Sequence, residues 1–162
     1  MEQEQDFHGI PIKIANPHLK VTLIDSVNKK LNVIREVSKE IGLKDLEIIH
    51  TRAEDLSHKK EYREQFDIVT TRAVSNLTTI TEYMLPFLKV GGKAICMKGP
   101  NYEEELKEAQ NAIEILGGKV EKVEKLLISN EIERNIIVIL KVKNTPNKYP
   151  RGQGKPLKEP IK

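Results

Sequence analysis

The 162-residue chain has no tryptophan, only seven other aromatics and a single cysteine, Cys96. One cysteine excludes a disulfide framework and any multi-cysteine zinc or iron–sulfur site. It fits a reducing compartment, so a cytoplasmic location is expected. No apolar run approaches the roughly 20 residues of a membrane span. The opening Met1-Glu2-Gln3-Glu4-Gln5-Asp6 is acidic, unlike a secretory leader. Neither a membrane nor export is expected. His8, His18, His50 and His58 lack helical i, i+4 pairing and flanking ligands, so no metal site is expected. Also missing are a Gly-x-Ser-x-Gly elbow, a phosphate loop with Gly-Lys-Ser/Thr and a Gly-x-Gly-x-x-Gly run, which weighs against hydrolases, NTPases and nicotinamide dehydrogenases.

What is present is one domain's worth of aliphatic core: 19 Ile, 15 Leu and 11 Val. The net charge of +3 is unevenly spread. Residues 144–162 hold Lys148, Arg151, Lys155, Lys158 and Lys162 against Glu159 alone, together with four of the eight prolines. Residues 1–143 are therefore read as the folded domain and 144–162 as an extended basic, proline-rich arm. Such an arm either solubilises or contacts nucleic-acid phosphates.

Strand-like and helix-like runs alternate. Residues 21–24 read as a strand and the stretch to Gly42 as a helix, with Val27, Leu31, Ile34, Val37 and Ile41 at helical spacing. Gly42 sits where a left-handed C-terminal residue is favoured. Further strands are expected over 46–49, 66–70 and 93–97. Helices are expected from Leu77 to near Pro86 and over 102–116, with a turn at Gly91-Gly92 before the fourth strand. Residues 120–128 and 136–142 flank a polar turn with no helix between, so they predict an antiparallel hairpin at one edge. The alternation implies a largely parallel sheet covered on both faces. Closed by a hairpin, it is the mixed sheet of Rossmann-like methyltransferases, with ligands held at the carboxyl ends of the strands.

Four polar clusters fall at that edge. Asp25 follows a strand and suits the two hydroxyls of a ribose; it or Ser26 suits equally the cap of the next helix. Arg72 follows residues 66–70, where a guanidinium grips a carboxylate or phosphate, or forms a surface ion pair. Thr51-Arg52-Ala53-Glu54-Asp55 offers amides to an adenine, and Lys98-Gly99-Pro100-Asn101 completes the rim. Cys96 lies inside a strand, which argues against thiol chemistry.

Several runs resemble one family in order and spacing: Gly9-Ile10-Pro11-Ile12-Lys13-Ile14, Thr22-Leu23-Ile24-Asp25-Ser26 with Lys29-Lys30, Arg52-Ala53-Glu54, Asp67-Ile68-Val69-Thr70-Thr71-Arg72-Ala73, Met97-Lys98-Gly99 and Thr145-Pro146-Asn147-Lys148-Tyr149-Pro150-Arg151. Together they are similar to the bacterial 16S rRNA guanine-N7 methyltransferases, also called glucose-inhibited division protein B. The resemblance implies a class I, S-adenosylmethionine-dependent methyltransferase, monomeric, metal-free and cytoplasmic, acting on 16S rRNA of the small ribosomal subunit. It places Phe7 at the end of the cofactor loop, Asp25 at the ribose, Ala53 and Glu54 at the adenine, and Arg72 at the cofactor and target base. One departure stands out: Glu2 to Asp6 occupy the place of the family's glycine-rich loop. The expectation is an amino-terminally truncated form, lacking the first central strand and impaired in cofactor binding. The alternatives are a catalytically inactive rRNA-binding remnant and an unrelated nucleotide-binding Rossmann-like domain.

Overall fold

The computed structural model describes residues 9–71, 75–128 and 132–162. The chain divides into two compact units, Met1–Ala53 and Glu54–Lys162.

In the first unit, helix α1 (Gly9–Ala15) precedes strand β1 (Val21–Asp25), helix α2 (Asn28–Glu40) and strand β2 (Leu46–His50). β1 and β2 pair in parallel, Val21 opposite Leu46 and Asp25 opposite His50. Gly9 packs against β1 so closely that a Cβ would lie 2.1 Å from Leu23 Cδ2. Leu31 and Ile34 of α2 bury with Ile10 against Leu23, Leu46 and Ile48. The helical stripe read from sequence is wider than the one the structure buries: Val37 and Ile41 remain 41% and 50% exposed, and Ser38 is buried instead. Two strands with axes about 5 Å apart floor only a narrow band of a helix. Gly42 adopts the expected left-handed conformation, φ +69°. Neither candidate caps α2. The N-cap is Val27, without a side-chain bond, and Asp25 Oδ1 instead accepts the Val27 N–H at 2.7 Å.

The second unit opens with the short helix α3 (Ala53–Leu56), followed by β3 (Phe66–Thr71), α4 (Leu77–Met84) with a 3-10 turn over Leu85–Phe87, and β4 (Leu88–Lys98). Then come α5 (Tyr102–Ile115), β5 (Gly118–Ile128), β6 (Ile132–Lys141) and α6 (Lys155–Lys158). The sheet order is β3-β4-β6-β5, with β3 parallel to β4 and β6 antiparallel to both its neighbours. The expected hairpin is therefore present, with β5 at the edge. β6 begins four residues earlier than the apolar run suggested, because ladder hydrogen bonds need no apolar side chain. α4 and α5 cover one face, where Leu77, Ile80, Met84, Ala109, Ile113 and Leu116 bury against Ala94, Cys96, Ile137 and Ile139. The alternate β4 residues Ile95 and Met97 stay half-buried, so covering of the second face is incomplete.

One expectation about the sheet needs correction. Gly91-Gly92 does not precede β4 but bulges within it: register jumps from Phe66 opposite Leu88 to Ile68 opposite Lys93. Gly91 has φ +90°, and a Cβ on Gly92 would meet Asp67 O at 2.9 Å. Among the described residues the strands form two ladders, β1-β2 and β3-β4-β6-β5, and β1 and β3 each pair with one strand.

Residues 144–162 do not extend away from the second unit. Thr145, Tyr149, Pro150 and Pro156 are buried. Lys141, 1% exposed, anchors their start: Nζ donates to Leu85 O at 2.5 Å and Thr145 Oγ1 at 2.6 Å, with Glu64 Oε1 at 3.3 Å. Burial pulls the Lys141 ammonium down to about 8, against the attraction of Glu64. The unfolded chain titrates this lysine near ~10.4. Between those two values it holds a proton the folded chain has released, so this group adds stability as pH rises from about 8 and reaches its plateau above the unfolded value. Urea unfolding at stepwise pH across that window should show the rise in the wild type and its loss in Lys141→Met; identical slopes would refute the assignment.

Candidate functional site

Parallel strands deliver their following segments to their carboxyl edge, and the described residues singled out from sequence lie at or just past such strand ends. In the first unit, Asp25 and His50 are register partners at the carboxyl ends of β1 and β2. Thr51 N donates to Asp25 O at 3.1 Å, closing that edge. His50 Nε2 lies 3.0 Å from Ser26 O, a contact in which the ring nitrogen donates because a carbonyl only accepts. The loop after β1 is thus held on both sides. With Oδ1 of Asp25 engaged by Val27, Oδ2 faces Lys30 at a loose 3.9 Å and is open to hydroxyl donors. This is a geometry suited to a sugar diol.

Ala53 ends the first unit and Glu54 begins the second, both in α3. Glu54 is buried, at 6% exposure. Phe7 and Arg72 lie outside the described residues.

Thr70 and Thr71 end β3 beside Ile95 and Cys96 of β4. Past residues 72–74, Asn76 caps α4, its side chain accepting from Thr79 N at 2.9 Å. Lys98, the last residue of β4, donates to Ser75 O at 2.8 Å and pairs with Glu105 of α5 at 2.5 Å. Glu105 Oε2 also accepts the Leu77 N–H at 2.9 Å. Asn135 Nδ2 donates to Gly99 O at 3.0 Å and holds the turn that follows. One partly buried ion pair therefore holds residues 75–77 through Ser75 O and the Leu77 N–H. Sequence reading placed Lys98 on the rim but missed Glu105, hidden among three glutamates in the first turn of α5. Those carboxylates signal a helix start, and nothing local marks which one turns inward.

Cys96 is inert in this setting. Burial pushes its thiol up to about 12, and Sγ lies 3.6 Å from Met84 Sδ. Among the described residues no group of three or more His, Cys, Asp or Glu side chains is placed to hold a metal ion, and no helix is long and apolar enough to cross a membrane.

The fold is that of Rossmann-like class I methyltransferases. It matches a 16S rRNA (adenine(1408)-N(1))-methyltransferase from Catenulisporales acidiphilia with TM-score 0.71, at 12% identity, over 91% of this chain and 83% of that one. An rRNA methylase from Streptococcus thermophilus matches with TM-score 0.57, at 19% identity, over 76% and 74% of the two chains. In sequence, residues 6–137 match the family described as GidB, rRNA small subunit methyltransferase G. Proteins named ribosomal RNA small subunit methyltransferase G from Alkaliphilus metalliredigens and Clostridium tetani are 50% and 47% identical over 96% of this chain. The chain spans 66% of the length of each. The chain belongs to this family.

The clamp yields a graded prediction. Glu105→Gln strands the ammonium of Lys98 in a buried position, whereas Lys98→Met leaves Glu105 bonded to Leu77 and partly solvated. Both should destabilise by about 1–3 kcal/mol, with Glu105→Gln the worse. Equal or reversed losses in chemical denaturation would show that the pair is not buried as described.

Proposed function

We propose that this chain transfers a methyl group from S-adenosylmethionine to N7 of a guanine in 16S rRNA of the small ribosomal subunit, acting in the cytoplasm as a monomer. The observation that carries the reading is the 50% identity over 157 residues to a relative named for small-subunit rRNA methylation. The open Oδ2 of Asp25 at the carboxyl end of β1 supports a nucleoside cofactor, because a carboxylate there receives the ribose hydroxyls.

When bound, the cofactor supplies an electrophilic methyl on a sulfonium, which passes to the N7 lone pair as the carbon–sulfur bond breaks. Guanine N7 is unprotonated at neutral pH, so the protein needs no strong base. Its task is to align the base with the methyl group and exclude other geometries. In this reading Asp25 holds the ribose, Ala53 and Glu54 border the adenine, Phe7 closes the cofactor loop, and Arg72 meets the cofactor and target base. Lys98 and Glu105 position the segment that carries Arg72 by fixing its exit.

A second reading, a non-catalytic rRNA-binding protein, is favoured by one specific feature. Glu2, Glu4 and Asp6 stand where the family has glycines, and their carboxylates repel that of the cofactor's methionine part.

Transfer of labelled methyl from S-adenosylmethionine to small ribosomal subunits lacking the mark separates the two. Turnover is expected, abolished in Arg72→Ala. Asp25→Ala is expected to raise the KM for S-adenosylmethionine about 10- to 100-fold, the loss of two hydrogen bonds. RNA binding without turnover would establish the second reading instead.

A further inference from the structure

The tail follows α4 toward the carboxyl edge of β3 and β4 through a series of anchors. At its start, Thr145 Oγ1 donates to Leu116 O at 2.7 Å, and its N–H donates to Glu64 at 2.8 Å. Arg63 donates to the Thr145 and Tyr149 carbonyls, each at 2.9 Å, and His58 Nε2 to Pro150 O at 2.8 Å. Midway, Arg151 binds Glu82 of α4 with three hydrogen bonds: N–H and Nε to Oε1 at 2.8 and 3.0 Å, and a terminal nitrogen to Oε2 at 2.7 Å. Finally, Thr79 in the first turn of α4 donates to Pro156 O at 2.8 Å. Glu82 to Thr79 is one turn of α4 toward its N-terminus. That end begins at Leu77, three residues past the 72–74 segment, and is held by the Lys98–Glu105 pair.

α6 is thereby fixed beside the rim. Its two lysines, Lys155 and Lys158, are exposed, and Leu157 between them is 58% exposed. With Arg151 committed to Glu82, the tail still offers Lys148, Lys155, Lys158 and Lys162 against Glu159 alone. A compact surface with that excess of ammonium groups complements a polyanion.

We infer that residues 144–162 form a strap that carries Lys155 and Lys158 to the rim as phosphate contacts for the RNA substrate. The inference rests on the rRNA reading above and adds where on the chain the RNA backbone is held. Deleting the strap is not a clean test, because it would leave Glu82, 0% exposed, without its arginine. Substitution at the tip removes charge and spares every anchor.

The experiment is fluorescence anisotropy of the full chain with a labelled small-subunit rRNA fragment, from about 50 to about 200 mM salt. Lys155→Gln/Lys158→Gln is compared with Lys107→Gln/Lys119→Gln, which removes two exposed lysines elsewhere. The tip variant is expected to bind about 5- to 20-fold more weakly, with a log–log salt slope smaller by about 1.5 to 2, while the control keeps the wild-type slope. An unchanged slope, or an equal loss in the control, would overturn the strap as a phosphate contact and leave the methyltransferase reading intact. Absence of any RNA binding by the wild type would overturn both. A slope change in a chain that transfers no methyl group would uphold the strap and remove the catalytic reading alone.

Discussion

A carboxylate buried in the fold must be matched by a cation or the fold loses several kcal/mol. Glu82 is such a group: it lies on α4 with 0% exposure, one turn from buried Thr79. Its match is Arg151, 69 residues further along the chain. The C-terminal segment is consequently part of the second unit's interior chemistry. Lys141 imposes the same demand at the other end of the segment, where Thr145, Glu64 and the Leu85 carbonyl surround its ammonium. Lys98 repeats it at the rim with Glu105 and the Ser75 carbonyl. Lys98 and Lys141 thus hold the segments that enter and leave α4, and Glu82 holds the C-terminal segment against it.

These constraints serve the edge where chemistry is proposed. The parallel pairs β1-β2 and β3-β4 each bring their following segments to their carboxyl ends, so Asp25 and His50 meet in one unit while Thr71 pairs with Cys96 near the end of β4 in the other. Loops so placed are rigid only when something beyond the strands fixes them. In the first unit the fixing groups are His50 on Ser26 and Asp25 on Val27; in the second they are the Lys98–Glu105 pair and the Asn76 cap. The proposed methyl transfer asks for alignment more than for acid or base strength, and this architecture provides alignment.

Much of this was legible from the sequence. Alternating apolar runs marked the described strands, and Gly42 marked a helix end, with φ +69°. The unbroken succession of 120–128 and 136–142 announced the hairpin. The candidate site residues were named through resemblance more than through spacing, since by spacing Asp25 reads equally as a cap. Less legible was the depth of burial along α2, where Val37 and Ile41 share the helical period of Leu31 and Ile34 yet stay exposed. Periodicity states which residues share a face; it does not state how wide the surface beneath them is.

The sequence by itself determined the order and type of the elements, the mixed sheet and the family, because propensity, periodicity and motif spacing are properties of neighbouring residues. Only the tertiary structure decided that the proline-rich tail lies along α4, that Glu105 turns inward to Lys98, and that Gly91-Gly92 bulges within β4. These depend on partners far away in the chain. A charge acquires its meaning from whether it is buried, and by which distant group it is answered.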